Sequence, residues 1–521
     1  MIGCLLSHGS FIKELKIYIS LKIKLASACN YIFDWTNKMS EKIQRKLLLD
    51  DQESLKSNFE KKYIEYFFDV PDNASKVGLT LTYRNEFSET NPNKAVMFVS
   101  LHDPNGFRGH RMNPGGRGDV VLELWAAPNS SSEGAIPGAL PSGQWRAQID
   151  IRALKGDADY GLQIYIEEGD VVPASESKYP DDRVVKPESG WYKGELHAHS
   201  TESDGKFPVE EVVKAAVDYG LDFFSLTDHT TSSQWHKLGK LIDMPIALIR
   251  SLEITSHVGH ANIHGISDWV NVYIDKEGWS VNQAAEEVHR QGGLFCINHA
   301  FSGYLSWRDF DLDWNLVDME EIYHNLEGAN NSHQLALWDH HLGSGYRIVG
   351  VAGTDSHNPF EGLHEFGQVH TYVYADELSE RGIVEGIKRG IVYISRGPQM
   401  RFTAFNESGL KAEMWESLPV DTPITFEAEF QWDKPLVMFV IKNGMIFDVF
   451  YSNEDIKDWQ KIAFTDENPK ENDYYRIELH DVVVNKPYTG IIWRDYSTMR
   501  VLSNPIWAAR KKQNNGLTGV R

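Results

Sequence analysis

The residues able to do chemistry collect in the middle of the chain, and each group follows a short apolar run. GEL is followed by His197 and His199, then Asp204; FFSLT by Asp228 and His229; ALIRSL by Glu253, with His257, His260 and His264 close behind. LFCIN leads to His299, and IVGVAGT to Asp355 and His357. Side chains alternate along an extended strand, so the His197-x-His199 pair presents both imidazoles on one side and can grip one ion. A carboxylate such as Glu253 can bridge two ions with its two oxygens. The only cysteines are Cys4, Cys29 and Cys296, with no CxxC spacing, which excludes a thiolate zinc site and a disulfide framework. Nitrogen and oxygen ligands alone suit Zn²⁺, Mn²⁺ or Fe. A lone HxH is usually incidental, and a lone buried histidine is usually a hydrogen-bonded core residue. A whole set of strand ends finishing in His, Asp or Glu is not explained by packing, because unpaired polar groups are costly to bury.

The elements that must position these residues alternate between strand and helix. GELHAHS, DFFSLTDH, IALIRSLEIT, HANIHGI, GLFCINHA, LVDMEEIYHN and RIVGVAGTDSH read as strands. PVEEVVKAAVDYG, SQWHKLGKLI, SVNQAAEEVHRQGG, ALWDHHLGSG and RGIVEGIKRG read as helices. Such alternation implies a parallel sheet, open or closed as a barrel, whose C-terminal strand ends share one face. On both sides lie short β-branched and aromatic runs separated by turn formers, the spacing of antiparallel sandwiches. The predicted organisation is an N-terminal helical extension (1–58, with 37–58 helix or linker), a β-sandwich (59–185), a central α/β segment (186–400), a second β-sandwich (401–510) and a tail (511–521). His102 and His110 fall near turns of the first sandwich, where solvent-exposed histidines are common. SESKYPDDRVVKPESG reads as a linker, and TGIIWRDY as a strand of the second sandwich.

A length of 521 residues is too great for one core and suggests about three domains. The formal net charge of −22 repels polyanions, so long nucleic acid is an improbable partner, though local cations could hold one small phosphate. Lys13, Lys16, Lys22 and Lys24 interrupt the apolar stretch 11–33, which leaves no run long enough to span a bilayer and no signal-peptide pattern. That stretch is expected to be a packed helix or an extension, with peripheral membrane contact through a basic amphipathic helix as the alternative. A cytoplasmic protein is therefore expected.

The ordered set HxH, SDG, TDH, Glu, GHxN, NHA and GTDSH resembles the PHP (polymerase and histidinol phosphatase) superfamily, and within it the CehA/McbA-type metallohydrolases. The resemblance covers about residues 190–400, including IVYISRGP, and little of the flanking sandwiches. It implies a distorted (β/α)7 barrel holding two or three divalent ions. His197, His199, Glu253 and Asp355 would hold the first. Glu253 would bridge to a second with His260 and His299; His257 and His264 are close enough to His260 to replace it. Asp204, His229 and His357 would hold a third; Asp204 stands where other branches have histidine.

Such a centre suits a phosphoesterase acting on a small molecule or nucleotide. Asp228, His264 and His324 are candidates to protonate the leaving oxygen, and Arg396 of the SRGP turn is a candidate contact to substrate phosphate. Each of these has a structural reading as well. The same centre could cleave a carbamate or amide ester, or trim nucleic acid from the 5′ end. A non-catalytic binding protein, with the sandwiches as partner-binding modules, is the remaining alternative.

Overall fold

The computed structural model describes residues 44–509, apart from 60–61, 87–93, 114–116, 171, 175–178, 180–182, 325–327, 362–364, 453–457 and 483–495. The helix expected over 11–33, the tail 511–521 and nearly all of the strand expected at TGIIWRDY lie outside the described residues.

The N-terminal region is built from β1 (Gln44–Leu55), β2 (Tyr63–Val70), β3 (Ala74–Asn85), β4 (Lys94–Asp103), β5 (Gly106–Arg111), β6 (Gly118–Ala126), β7 (Gly143–Lys155) and β8 (Ala158–Glu168). Two four-stranded antiparallel sheets, ordered β1-β8-β3-β6 and β2-β7-β4-β5, enclose a core that includes Leu79, Leu81, Val99, Trp145, Ile149 and Ile164. Over 44–55, β1 corrects the expectation of helix or linker made for 37–58, of which 37–43 lie outside the described residues. Its polar sequence QRKLLLDDQESL carries no helical apolar stripe, and as an edge strand paired only to β8 it needs few buried side chains.

The central segment contains β9 (Val184–Lys186), β10 (Gly190–Glu195), α1 (Val209–Asp218), β11 (Phe223–Leu226), α2 (Ser233–Leu238), β12 (Ala247–Ser256), β13 (Gly259–His264), α3 (Val281–Arg290), β14 (Leu294–Ile297), β15 (Met319–Tyr323), α4 (Gly328–Gly343) and β16 (Val349–Ala352). β17 (His370–Ala375), β18 (Leu378–Ser379), α5 (Glu380–Lys388) and β19 (Val392–Ser395) follow. β10, β11 and β12 are parallel neighbours, as are β14, β15 and β16. Between these triplets β13 runs antiparallel to both of its neighbours. Only residues 257–258 separate β12 from β13, too few for a crossover helix, so the pair closes as a hairpin and strict strand–helix alternation is lost there. At the far ends of the run, Ala198 bridges Ser356 in parallel, and His199 N–H donates to Ser356 O at 2.8 Å. The polar tips of β10 and β16 are thereby joined.

β17 and β19 extend the sheet antiparallel beyond β10, and β19 pairs with β28 (Met499–Ser503). The C-terminal region also holds β20 (Gln399–Asn406), β21 (Lys411–Glu413), β22 (Ser417–Pro419), β23 (Ile424–Gln431), β24 (Leu436–Lys442), β25 (Met445–Tyr451), β26 (Gln460–Asp466), β27 (Tyr474–Asp481) and β29 (Ile506–Ala509). One 15-stranded sheet therefore runs without a break through thirteen strands from β16 to β25, with β29 and then β22 branching from β27. The four-stranded sheet β21-β20-β23-β26 covers its C-terminal part, with Phe402, Phe426, Phe430, Met438 and Ile477 between the layers. No helix of the described residues is long and apolar enough to cross a membrane.

Candidate metal centre

His197, His199, Asp204, His229, Glu253, His260, His299, Asp355 and His357 collect at one end of the β10–β16 run, whereas His257 and His264 do not join them. The residues after β10 deliver His197 and His199, the β12–β13 hairpin delivers Glu253 and His260, the residues after β14 deliver His299, and those after β16 deliver Asp355 and His357. His299 (φ 27°) and Asp355 (φ 52°) take left-handed backbone that non-glycine residues rarely adopt, at a cost on the order of 1 kcal/mol each. Strain held at two potential ligands marks a place where side-chain direction outweighs local comfort.

Glu253 is the hub. It is fully buried, yet five imidazoles approach it. His197 Nε2 and His199 Nε2 each lie 3.5 Å from its Oε2, and His229 Nδ1 lies 2.8 Å from the same oxygen. His260 Nδ1 and His299 Nε2 lie 3.1 and 3.4 Å from its Oε1. Asp355 Oδ1 stands 2.9 Å from His199 Nε2 and 3.4 Å from His197 Nε2. Asp204 Oδ1 is 3.3 Å from His357 Nε2 and 3.6 Å from His229 Nε2.

Four sets offer ligand atoms within 4.8 Å of one another: His199, Asp204, His229 and His357; His197, His299 and Asp355; His197, His199 and Glu253; and His229, Glu253 and His260. His260 thus joins Glu253, whereas His257 Nε2 faces Asp150 Oδ1 at 3.4 Å. His264 lies deeper in β13, where its Nδ1 meets Ser225 Oγ at 2.7 Å and Ser251 Oγ at 3.2 Å.

These donors suit divalent cations. His197 Nε2, His199 Nδ1, His299 Nδ1 and Glu253 Oε2 are buried with no well-directed hydrogen bond. Leaving such atoms unsatisfied costs about 1–3 kcal/mol each, a cost a bound cation would remove. The charge balance agrees. Burial alone would raise Glu253, but the facing His229, His197 and His260 hold it well below the usual carboxylate range. Asp355 is likewise held low against burial by His197 and His199. Burial works against a charge on His357, yet Asp204 and Asp355 lift it to about 10. Burial leaves His199 and His260 at about 4, despite the carboxylates nearby. The site therefore sets ionised carboxylates beside imidazoles of both kinds: His199 and His260 stay neutral, whereas nearby carboxylates hold His197, His229, His299 and His357 above 6.5 against burial, with protons that a bound cation would displace.

Residues not singled out from the sequence hold these groups in place. Glu321 on β15 faces His197 Nδ1 with Oε1 at 2.9 Å, and its Oε2 accepts His299 N–H at 3.0 Å. A carboxylate on one imidazole nitrogen fixes the tautomer and turns the other nitrogen toward an ion. Asn298 Nδ2 donates to Glu253 Oε1 at 3.0 Å. Glu195, which burial pushes up to about 7, accepts from the backbone N–H groups of His197 and Thr354 across the β10–β16 seam. The available signal was the Glu-Glu pair inside the apolar strand MEEIY. Alternation sends Glu321 to the site and Glu320 to the other face, where it meets His341 and Gln334 on α4.

The candidate proton donors have distinct surroundings. Asp228 accepts from Ser200 N–H (2.8 Å), Ser200 Oγ (2.7 Å) and Ser203 Oγ (2.7 Å), while burial raises it to about 6. Burial drops His264 to about 3. His324 is buried 5.8 Å, ring to ring, from His299, and burial lowers it although Glu321 pulls the other way. The Arg396 guanidinium stacks over Tyr323, 5.3 Å from the ring centre, and Nη1 approaches the carbonyls of Ser497 and Met499 at 3.4 and 3.5 Å.

No family model matches the chain. A stretch of 49 residues is 41% identical to the DNA polymerase/3′-5′ exonuclease PolX of Bacillus subtilis; it spans 9% of this chain and 9% of that protein's length. Among solved structures, the chain is similar to a two-domain protein containing a predicted PHP-like metal-dependent phosphoesterase from Bacteroides vulgatus. That likeness has a TM-score of 0.34 and 16% identity, and covers 59% of this chain and 95% of that one. It is also similar to an amidohydrolase from Chromobacterium violaceum solved with bound sulfate and no metal, with a TM-score of 0.25 and 15% identity over 33% of this chain and 90% of that one.

Proposed function

We propose that the chain is a metal-dependent hydrolase of PHP type, with CehA/McbA-like character, acting as a phosphoesterase on a small phosphate ester or nucleotide. The observation that carries this reading is the buried carboxylate of Glu253 among the imidazoles of His197, His199, His229, His260 and His299, flanked by Asp355 and Asp204. The seven-strand run β10–β16, bridged at its tips, supports a distorted (β/α)7 barrel with β13 reversed. Its polar tips form the face on which such folds place their sites.

His197, His199, Glu253, His260, His299 and Asp355 would hold two divalent ions, and Asp204, His229 and His357 a third. When bound, such ions would supply the Lewis-acid charge for activating a water and neutralising a phosphoryl group. The chain's own part is positioning and proton handling. Glu321 and Asn298 fix the ligands. His324, next to His299, would protonate the leaving oxygen only once a substrate anion offsets the burial that keeps it neutral. Arg396 would meet a substrate anion that reaches over Tyr323. Asp228 and His264, tied to serines, support the scaffold.

Elemental analysis of the purified chain should give about two or three ions, and fewer than about 1.5 would sink the multinuclear reading. Asp355→Ala and His299→Ala should keep the fold by circular dichroism yet lose at least about 100-fold in kcat/KM. Unchanged turnover in either variant refutes the assignment. A panel of phosphomonoesters, phosphodiesters, cyclic phosphates and aryl carbamates selects the substrate class; the phosphoesterase reading fails if only carbamates are cleaved.

A further inference from the structure

Asp204 differs from the other candidate ligands in what holds it. The inner sets draw their ligands from strand tips and the β12–β13 hairpin, but Asp204 lies in the turn 200–205 between β10 and α1. Such a turn has no ladder to fix it. From the inner side, Asp228 takes the hydrogen bonds of Ser200 and Ser203 described above. From the outer side, the N-terminal sandwich does the holding. Arg111, the last residue of β5, donates from Nη1 to Thr201 O at 2.8 Å and to Ser203 O at 3.3 Å. Its Nη2 is anchored on Glu133 at 3.0 Å. Glu202, buried in the same turn, accepts the Gly134 N–H at 2.9 Å and pairs with Lys237. Thr231 Oγ1 donates to Gly134 O at 3.0 Å. Gly134 has φ +79°, and a Cβ there would stand 2.0 Å from His110 O, so only glycine allows the 131–135 loop to approach so closely.

We propose that Arg111 is a positioning residue for Asp204, and that the N-terminal sandwich is thereby a working part of the outer ion site formed by His199, Asp204, His229 and His357. One guanidinium grips the carbonyls of Thr201 and Ser203, which limits rotation of the peptides leading into Asp204. The ligand keeps its direction at little entropic cost when the ion arrives. The sandwich thus acts on the outer ion while supplying none of its ligands. This inference rests on the metal-hydrolase reading.

The test uses the full chain, stripped with a chelator and titrated with Mn²⁺ by calorimetry, with electron paramagnetic resonance reporting bound ions. Wild type is expected to bind in three steps, and Asp204→Asn to lose the weakest. Arg111→Met is expected to weaken that same step about tenfold and to leave the tighter steps unchanged. Arg111→Lys, which keeps the charge but lacks the fork, should weaken it by a smaller factor and serves if Arg111→Met does not fold. Wild-type-like titration of the arginine variants, equal weakening of every step, or only two ions in wild type overturns the inference. No Mn²⁺ binding by wild type instead overturns the hydrolase reading itself.

Discussion

The two sandwich regions join the central segment by different physics. The C-terminal one joins through backbone. β28 continues the ladder from β19, both faces of β24 and β27 are buried, and Tyr474, Met499, Leu502 and Trp507 enter the same core as Leu335 and Trp338. A charged knot spans this junction around the fully buried Arg476, which donates to Asp339 on α4 (Nε to Oδ1, 2.9 Å) and to Glu478 (2.6 Å). The N-terminal one joins through side chains. The outward face of the β2-β7-β4-β5 sheet carries Ser100, His102, Gln148, Asp150 and Arg152, an alternation that reads as solvent-facing, yet Ser100, His102, Gln148 and Asp150 are buried. His102 Nε2 meets Tyr273 OH at 3.2 Å, Lys276 Nζ reaches Glu65 at 2.6 Å and Gln148 at 2.7 Å, and Arg152 Nη2 donates to Ser256 O at 2.8 Å. The expectation that His102 and His110 are exposed is corrected here: the interface covers both. A ladder attachment resists change and suits a scaffold. A polar seam can be tuned one residue at a time, and this one ends on the turn that carries Asp204.

The sharpest way to break the comparison is at the charged knot. Asp339→Ala leaves the Arg476 cation buried with one fewer partner and should cost about 3–5 kcal/mol in urea unfolding, without changing the ion content of the folded fraction. A loss under about 1 kcal/mol would mean the knot adds nothing beyond the ladder.

Acid should separate the two regions next. Burial holds His110 at about 3 and His102 well below 6.5, so both are neutral when folded. Because their folded values lie below the unfolded one, the associated stability is complete above pH 6.5 and is lost as pH falls toward the folded value. For His110 alone this amounts to roughly 2 kcal/mol at pH 5. In the C-terminal region, burial raises Asp466 and Asp473, but Lys442 pulls both below 3.8. Their contribution is present above pH 3.8 and fades only as pH falls through the lowered values. Hydrogen exchange at pH 5 should therefore speed up in β4 and β5 before β24 and β27; the reverse order would contradict the assignment.

The smallest effect is expected at the seam itself. Lys276→Met removes two hydrogen bonds from a part-buried group and should cost about 1–2 kcal/mol, read as faster exchange in β2 and β7 with β27 unchanged.

Much of the candidate site was legible because strand periodicity and ligand chemistry are local. His197, His199, Glu253, His299 and Asp355 each follow an apolar run, and parallel strands end on one face wherever those runs lie in sequence. The β12–β13 reversal was legible in principle from the two-residue gap at 257–258. β1 was missed because an edge strand need not alternate, and the unbroken sheet across β19 and β28 because pairing between residues so far apart leaves no local mark.

The sequence by itself determined the donor set, its freedom from thiolate and the faces on which the donors lie, since these follow from residue type and the two-residue repeat of a strand. Only the tertiary structure decided which histidine reaches Glu253, that Glu321 steadies His197, and that Arg111 grips the turn bearing Asp204. Those are contacts between distant segments, and alternation tells which face a side chain takes but never what will cover it.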